Sequence, residues 1–369
     1  MENLKLIMQE VVLYTLIMVI LSILKTLICN NQFLRMEDGK FKVCPVNYYL
    51  YDRNKESFKN PLITLDKNFD MIMDVETISK PAKTFNIYPC EFDIREKFLD
   101  LYKREDENLF DMFIVCLDSS LRNAAVAKKL SEKIKNKNSV VLYNVDYKSE
   151  AYEETTRFKP FGFKNEFLTH KLIINDTLGN LATRTNKTYQ KSNSISKKED
   201  FDNLQLYEKL SNIYFHLADR AKLNLVGLTF TDDKTVVGLT KEQFDEIFPT
   251  YKKPEYKNYY ETKLQNVIAR IEHERWNTFN ILQGFTPLEL TDYTFKNRSK
   301  CHKDLENKKH GCLTTYEDLD KVNREIYENC KENNIQVTFE QVETYKYDFE
   351  LVADIYDSLT KSGFKIIKK

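Results

Sequence analysis

No glycine occurs between Met1 and Asn31. That absence removes the tight turn through which a nucleotide-binding α/β domain ordinarily brings its backbone against a pyrophosphate. Net charge is missing as well: 56 Lys plus Arg balance 56 Asp plus Glu. No broad field therefore draws the chain to nucleic acid or to anionic lipid, and no nucleic-acid partner is expected. The seven cysteines contain no Cys-x-x-Cys pair, which argues against a zinc finger or a disulfide framework and suits free thiols in a reducing cytoplasm. No serine sits in a Gly-x-Ser-x-Gly elbow, and Glu272-His273 lacks the second His of a zinc hydrolase, so no catalytic constellation is indicated. His302 and His310 with Cys301 and Cys312 match no common zinc spacing, and no metal site is expected.

What is present is enough apolar material for real cores. Of 369 residues, 42% are hydrophobic and 13% aromatic, which allows two or three domains. Val11 to Ile28 is almost unbroken apolar sequence and admits two readings. One is the opening strand and helix of an α/β domain. The other is a single membrane anchor, which the basic residues Lys25, Arg35, Lys40 and Lys42 on its far side would orient with the remaining chain in the cytoplasm.

Further along, short β-rich runs alternate with helical ones. Phe41 to Tyr51 reads as one strand ending at Asp52, Thr84 to Tyr88 as another, and Leu109 to Leu117 as a buried parallel strand ending at Asp118-Ser119-Ser120. Those last residues are good helix caps. The spacing predicts a helix over Leu121 to Lys135 and a strand over Ser139 to Val145, so strand, helix and strand make a βαβ unit of a parallel sheet. Ligands of such sheets sit beyond the carboxyl ends of the strands, which selects Asp52, Asp118, Ser119 and Asn123 as candidate cofactor contacts. Asp118 and Ser119 also suit simple helix capping. Phe158 to Asn175 reads as irregular and strand sequence, with Leu172-Ile173-Ile174 as a strand, and Asp176 to Leu181 as a short helix.

Thr183 to Asn203, rich in Thr, Ser, Lys and Asn without an apolar period, is expected to be an exposed linker. It would separate an α/β domain over 1–182 from a helical connector over 204–258 and a final domain over 259–369. In that final domain Tyr259 to Leu282 has the periodicity of a long helix, and Phe349 to Ser362 that of another, stopped by Gly363 before a short strand. The first of these helices carries Glu272-His273-Glu274-Arg275-Trp276-Asn277, with the only Trp in the chain. His273, Trp276 and Asn277 fall at i, i+3 and i+4 and share a face, while Glu272, Arg275 and Phe279 lie on the adjoining stripe. An imidazole, an indole and an amide on one face suit a planar ligand such as a nucleobase. They also suit a core anchor and a satisfied histidine. Lys296 to Lys309 is a charged run that suits phosphates or a solvated loop.

Glu272-His273-x-Arg275-Trp276 with Gly284-Phe285, followed by His310-x-Cys312-Leu313-x-x-Tyr316-x-x-Leu319, resembles the RyR domain, the repeat named after the ryanodine receptor and also found in bacterial proteins. Phe285 stands where the family pattern has a second Trp, and Gly311 where it has Pro. The upstream half is similar to the Rossmann-like region of bacterial RyR proteins, akin to the nucleotide-binding part of potassium-uptake regulators, with the first glycine turn replaced by Leu16 to Leu21. The resemblance implies a Rossmann-like parallel-sheet domain followed by a mainly α-helical RyR domain. It implies a non-enzymatic cytoplasmic sensor of a nucleotide-type small molecule or dinucleotide, in a bacterial defence or ion-homeostasis setting. His273, Arg275, Trp276, Asn277, His310 and Tyr316 would bind that ligand, Arg275 pairing a phosphate and Trp276 or Tyr316 stacking a base. A homo-oligomer or a partner protein would carry the output. The alternative is a membrane-anchored effector or channel accessory whose anchor is Val11 to Ile28.

Overall fold

The protein is described from a computed structural model that covers residues 10–14, 17–38, 40–52, 54, 56, 65, 68–69, 79–81, 83–91, 110–134, 136, 138–147, 149, 152, 154–163, 177–192, 200–248, 264–289 and 302–369. The expected strand Leu172-Ile173-Ile174, Cys301 and the start of the Lys296 to Lys309 run lie outside those residues. The fold is mixed α/β, and the chain divides into two compact units. One comprises Met1–Asp66 and Thr84–Asp176, the other Lys67–Lys83 and Thr177–Lys369.

The first unit is built on a six-stranded sheet. Its strands are β1 (Glu10–Tyr14), β4 (Val46–Asp52), β5 (Phe85–Glu91), β6 (Met112–Val115), β7 (Val140–Asn144) and β8 (Phe158–Phe161), between which a short hairpin, β2 (Leu34–Glu37) and β3 (Lys40–Val43), is inserted. The order across the sheet is β5-β4-β1-β6-β7-β8, and every neighbouring pair is parallel. All six carboxyl ends therefore share one edge, and the order reverses between β1 and β6. Helix α1 (Ile17–Asn30) follows β1, and helix α2 (Ser120–Lys133) joins β6 to β7. Parallel strands buried on both faces need continuous apolar sequence. The core accordingly gathers Phe113, Val115, Leu130, Val141 and Tyr143, with Tyr143 stacked on Phe158 at 4.5 Å.

The apolar run from Val11 to Ile28 is thus divided. Its first part is the central strand β1, paired on both sides, and its second is α1. Fourteen helical residues span about 21 Å against a hydrocarbon thickness of roughly 30 Å. Among the described residues no helix is long and apolar enough to cross a membrane. The expected single strand from Phe41 to Tyr51 is also divided. Residues 40–43 turn back antiparallel on β2 around Asp38 (φ 51°), and β4 starts only after Cys44-Pro45. Proline donates no hydrogen bond to a ladder and so interrupts the run.

The second unit is mainly helical. Its elements are α3 (Thr177–Ser192), α4 (Leu206–Leu217), α5 (Asp219–Asn224), α6 (Lys241–Ile247), α7 (Leu264–Leu282), α8 (Leu319–Glu332), α9 (Phe339–Val342), α10 (Lys346–Ala353) and α11 (Ile355–Lys361). They are accompanied by the antiparallel pair β9 (Leu228–Thr231) and β13 (Lys365–Lys368), and by a three-stranded sheet of β10 (Thr286–Pro287), β12 (Lys309–His310) and β11 (Lys303–Asp304). One core surrounds Phe215, Leu223, Phe244, Ile268 and Ile355. Another surrounds Ala269, Tyr316, Val322, Ile326 and Phe349.

The stretch expected to be a linker from Thr183 is helical through Ser192, where α3 ends. Thr185, Asn186 and Gln190 are buried. The helix holds its neighbours through polar side chains: Thr185 meets His216 at 2.7 Å, and Thr188 donates to Asp354 at 3.0 Å. A polar interface of this kind leaves no apolar period to read. The division between units falls at Asp176/Thr177 rather than across the Thr183–Asn203 stretch.

Candidate functional site

Helix α7 presents two faces of different chemistry. It ends at Gly284, whose φ of +85° is a conformation that glycine adopts without strain; Gly284 N donates to Ile281 O and Phe285 N to Asn280 O. This stop lets the chain leave into β10 with Phe285 buried and set against Tyr207 at 5.3 Å.

On the first face, rings collect around one backbone carbonyl. His273 Nε2 and Asn277 Nδ2 both donate to Thr314 O, at 3.0 and 2.9 Å. His273 lies stacked with Trp276 (6.1 Å) and edge-on to Tyr316 (5.4 Å), and Trp276 meets His310 edge-on at 4.9 Å. Each such aromatic contact is worth about 0.5–1.5 kcal/mol beyond its buried area. Tyr316 is buried beneath the Arg270 guanidinium, 4.9 Å from the ring centroid, while Arg270 pairs with Glu317. Trp276 is half-buried, whereas His273, Asn277, His310 and Tyr316 are buried. Five of the six expected ligand residues are therefore brought together.

Two residues that meet this face carry no sequence signal. Asp348 Oδ2, from α10, stands 3.4 Å from His273 Nδ1. Burial works against a charged His273, but the Asp348 carboxylate, with Glu274 and the Thr314 carbonyl, outweighs it and raises the pKa above the ordinary imidazole value. Burial also pushes Asp348 up, against the pull of His273. The second is Ser79: Thr314 Oγ1 donates to Ser79 O at 2.8 Å, and Ser79 N donates to Asp318 Oδ2 at 2.7 Å. His310 is different again. Burial, then Lys303 and the neighbouring imidazoles, hold it neutral, well below its usual pKa.

Arg275, the sixth expected residue, faces away from this cluster. Its Nε and Nη2 donate to both carboxylate oxygens of Glu272 at 2.6–3.0 Å, and Lys222 Nζ from α5 reaches Glu272 Oε2 at 2.7 Å. All three side chains are buried. Burial alone would raise Glu272, but the two cations hold it below the usual carboxylate range. Lys222 is pulled down by burial and partly restored by Glu272 and Asp219, and its ammonium sits 3.6 Å from the Phe215 ring centroid. The guanidinium edge formed by Nε and Nη2 is taken up by a carboxylate of its own helix, and Lys222 ties that carboxylate to α5, so this edge of Arg275 is engaged within the fold rather than by a phosphate. Close by, His216 links Asp219 (2.6 Å) to Thr185 (2.7 Å) in a buried chain that joins α3, α4 and α5.

In the first unit the four expected cofactor contacts all lie at the carboxyl edge of the sheet, but two have structural duties. Ser119 caps α2 by accepting from Arg122 N at 3.3 Å. Asn123, buried, accepts from Leu117 N at 2.5 Å and donates to Asn144 O at 2.8 Å, latching the ends of β6 and β7 together. Asp118 is exposed and pairs with Arg122 one turn on, at 2.6 Å. Asp52 ends β4, the strand beside β1, and accepts from Asn54 N at 2.8 Å. Comparison of the chain with family models, with curated proteins and with solved structures finds no match.

Proposed function

We propose that this chain is a non-enzymatic sensor that binds a nucleotide-derived small molecule, joining a Rossmann-like unit to an RyR-type helical unit. The observation that carries the reading is the strand order of the parallel sheet. Numbered by their appearance in that sheet, the strands run 3-2-1-4-5-6, the order of dinucleotide-binding sheets, whose ligands lie at the carboxyl edge where the order reverses. Asp52 ends the strand next to the central one, the place from which an acid meets ribose hydroxyls in such sheets. The missing glycine turn favours a ligand held by its sugar and base over one held by its pyrophosphate.

The helical unit supplies the second support. His273, Trp276, His310 and Tyr316, which belong to the RyR-like motif, converge with Asn277 on one loop, and Trp276 is the half-buried ring among them, suited to stacking a base. Arg275 drops out of the ligand set because Glu272 holds it. A bacterial defence or ion-homeostasis role follows from the resemblance.

Thermal unfolding of the full chain, in the presence of cyclic nucleotides, ADP-ribose derivatives and nicotinamide dinucleotides, tests the reading. One class is expected to stabilise the protein by about 2.7 kcal/mol at a hundredfold excess over Kd and to be recovered chemically unchanged. No stabilisation across the panel would overturn nucleotide sensing. Turnover of a ligand that is lost in His273→Ala would make the protein an enzyme.

A further inference from the structure

The small sheet of the helical unit brings together three metal-binding side chains that the sequence separates as His-x7-His-x-Cys. Ligand atoms of His302, His310 and Cys312 all lie within 4.8 Å of one another, the one such group of three or more His, Cys, Asp or Glu among the described residues. The backbone holds them there. Lys303 and His310 are partners in the antiparallel β11–β12 pair, which sets His302 beside the start of the His310-Gly311-Cys312 turn. Gly311 N then donates to His302 O at 2.7 Å. A proline at 311, as in the RyR pattern, has no N–H to give. Glycine at this position thus fastens His302 to the turn that carries the other two.

We infer that His302, His310 and Cys312 form a binding site for a borderline-soft divalent cation, of which Zn²⁺ is the type. The donor set excludes Mg²⁺ and Ca²⁺, which require oxygen ligands. Two imidazole nitrogens and a thiolate complete three corners of a tetrahedron, leaving the fourth for water or a ligand atom. With metal–nitrogen bonds of about 2.0–2.1 Å and metal–sulfur of about 2.3 Å, ligand atoms stand roughly 3.3–3.6 Å apart. Closing the group therefore moves the side chains by on the order of an ångström. One rearrangement is specific. His310 Nδ1 accepts from Cys312 N at 3.0 Å, so coordination through Nε2 moves the ring proton to Nδ1 and gives up that bond. Coordination of Cys312 as thiolate releases the thiol proton to solvent. His310 also touches Trp276, so metal binding reports on the indole.

The site is tested on the full chain, stripped with a chelator and titrated with Co²⁺. One equivalent is expected to produce tetrahedral visible bands together with a thiolate-to-cobalt charge-transfer band, both abolished by Zn²⁺. Cys312→Ser is expected to lose the charge-transfer band, and His302→Gln to weaken binding by at least about tenfold, the lower end of what losing even an indirect partner of a metal costs. X-ray absorption at the zinc edge of the unaltered protein is expected to show two nitrogens and one sulfur, and it requires no variant to fold. Absence of the charge-transfer band, its persistence in folded Cys312→Ser, or a sulfur-free zinc shell would each overturn the site. None of these outcomes depends on nucleotide binding.

Discussion

At the scale of single residues, the side chains of α7 are decided by what faces them. Glu272 and Arg275 sit within one helical turn of His273 and Trp276 in sequence, yet they belong to a different chemistry because Lys222 and Arg275 both meet the Glu272 carboxylate in the dry interior. Removing one partner of a buried charge network strands the others, at a cost of about 3–5 kcal/mol. Glu272→Ala is accordingly expected to lower unfolding stability by that amount in urea titration, with two cations left uncompensated. Arg275→Ala, in the same measurement, leaves Lys222 to neutralise Glu272 and is expected to cost less. A smaller effect for Glu272→Ala than for Arg275→Ala would contradict the network.

His273 gives a pH signature. Its Nε2 donates to Thr314 O and its Nδ1 faces Asp348, with Glu274 as the other nearby acid and His310 as the nearby imidazole. Protonation places a donor against each acceptor, which is why the folded-state pKa is raised above 6.5. A histidine with a raised folded-state pKa contributes stability that is complete below the unfolded value of 6.5 and is lost as pH rises through the folded value. The difference in unfolding free energy between the unaltered protein and His273→Gln is therefore expected to be largest below pH 6.5 and to shrink above it. A difference that grows with pH would contradict the pairing with Asp348.

At the scale of elements, the latch between β6 and β7 is the test. Asn123, in the first turn of α2, spends its amide on Leu117 N and Asn144 O, so it fixes the carboxyl edge of the sheet at the strand ends. Asn123→Ala takes this partner from the part-buried Leu117 N and Asn144 O and is expected to cost about 1–3 kcal/mol per group, measured by denaturant unfolding. Ser119→Ala, the loss of a cap, is expected to cost about 1 kcal/mol. Elements were readable from sequence where burial follows a period. The β6–α2–β7 unit was legible because β6 is apolar throughout, β7 is apolar up to Asn144, and Ser119 is a cap. Helix α3 was legible only at its start, through Leu181; its continuation was not, because Thr185, Asn186 and Gln190 bury polar side chains, Thr185 against His216. The β2–β3 hairpin was hidden because its strands run into β4 across a single proline.

At the scale of the whole molecule, the strand order of the sheet and the convergence on Thr314 are properties of topology. His273, Trp276, Asn277, His310 and Tyr316 could be named in advance because helical spacing and the downstream segment mark them. Asp348, Ser79 and Lys222 could not, since each arrives from a distant element. The His302–His310–Cys312 group was visible in sequence, with Cys301, but set aside on spacing, because a short antiparallel pair and not a standard spacing assembles it. In the proposed reading a nucleotide-type ligand is recognised by the sheet's carboxyl edge or by the helical unit, and the two are distinguished at the rings, where the helical unit would meet it. Trp276 is the only Trp in the chain, so tryptophan emission reports from that cluster alone. Titrating the protein with the nucleotide class that stabilises it is expected to change Trp276 emission saturably, with the change abolished in His310→Gln. Emission that stays constant at saturating ligand would contradict recognition at this site.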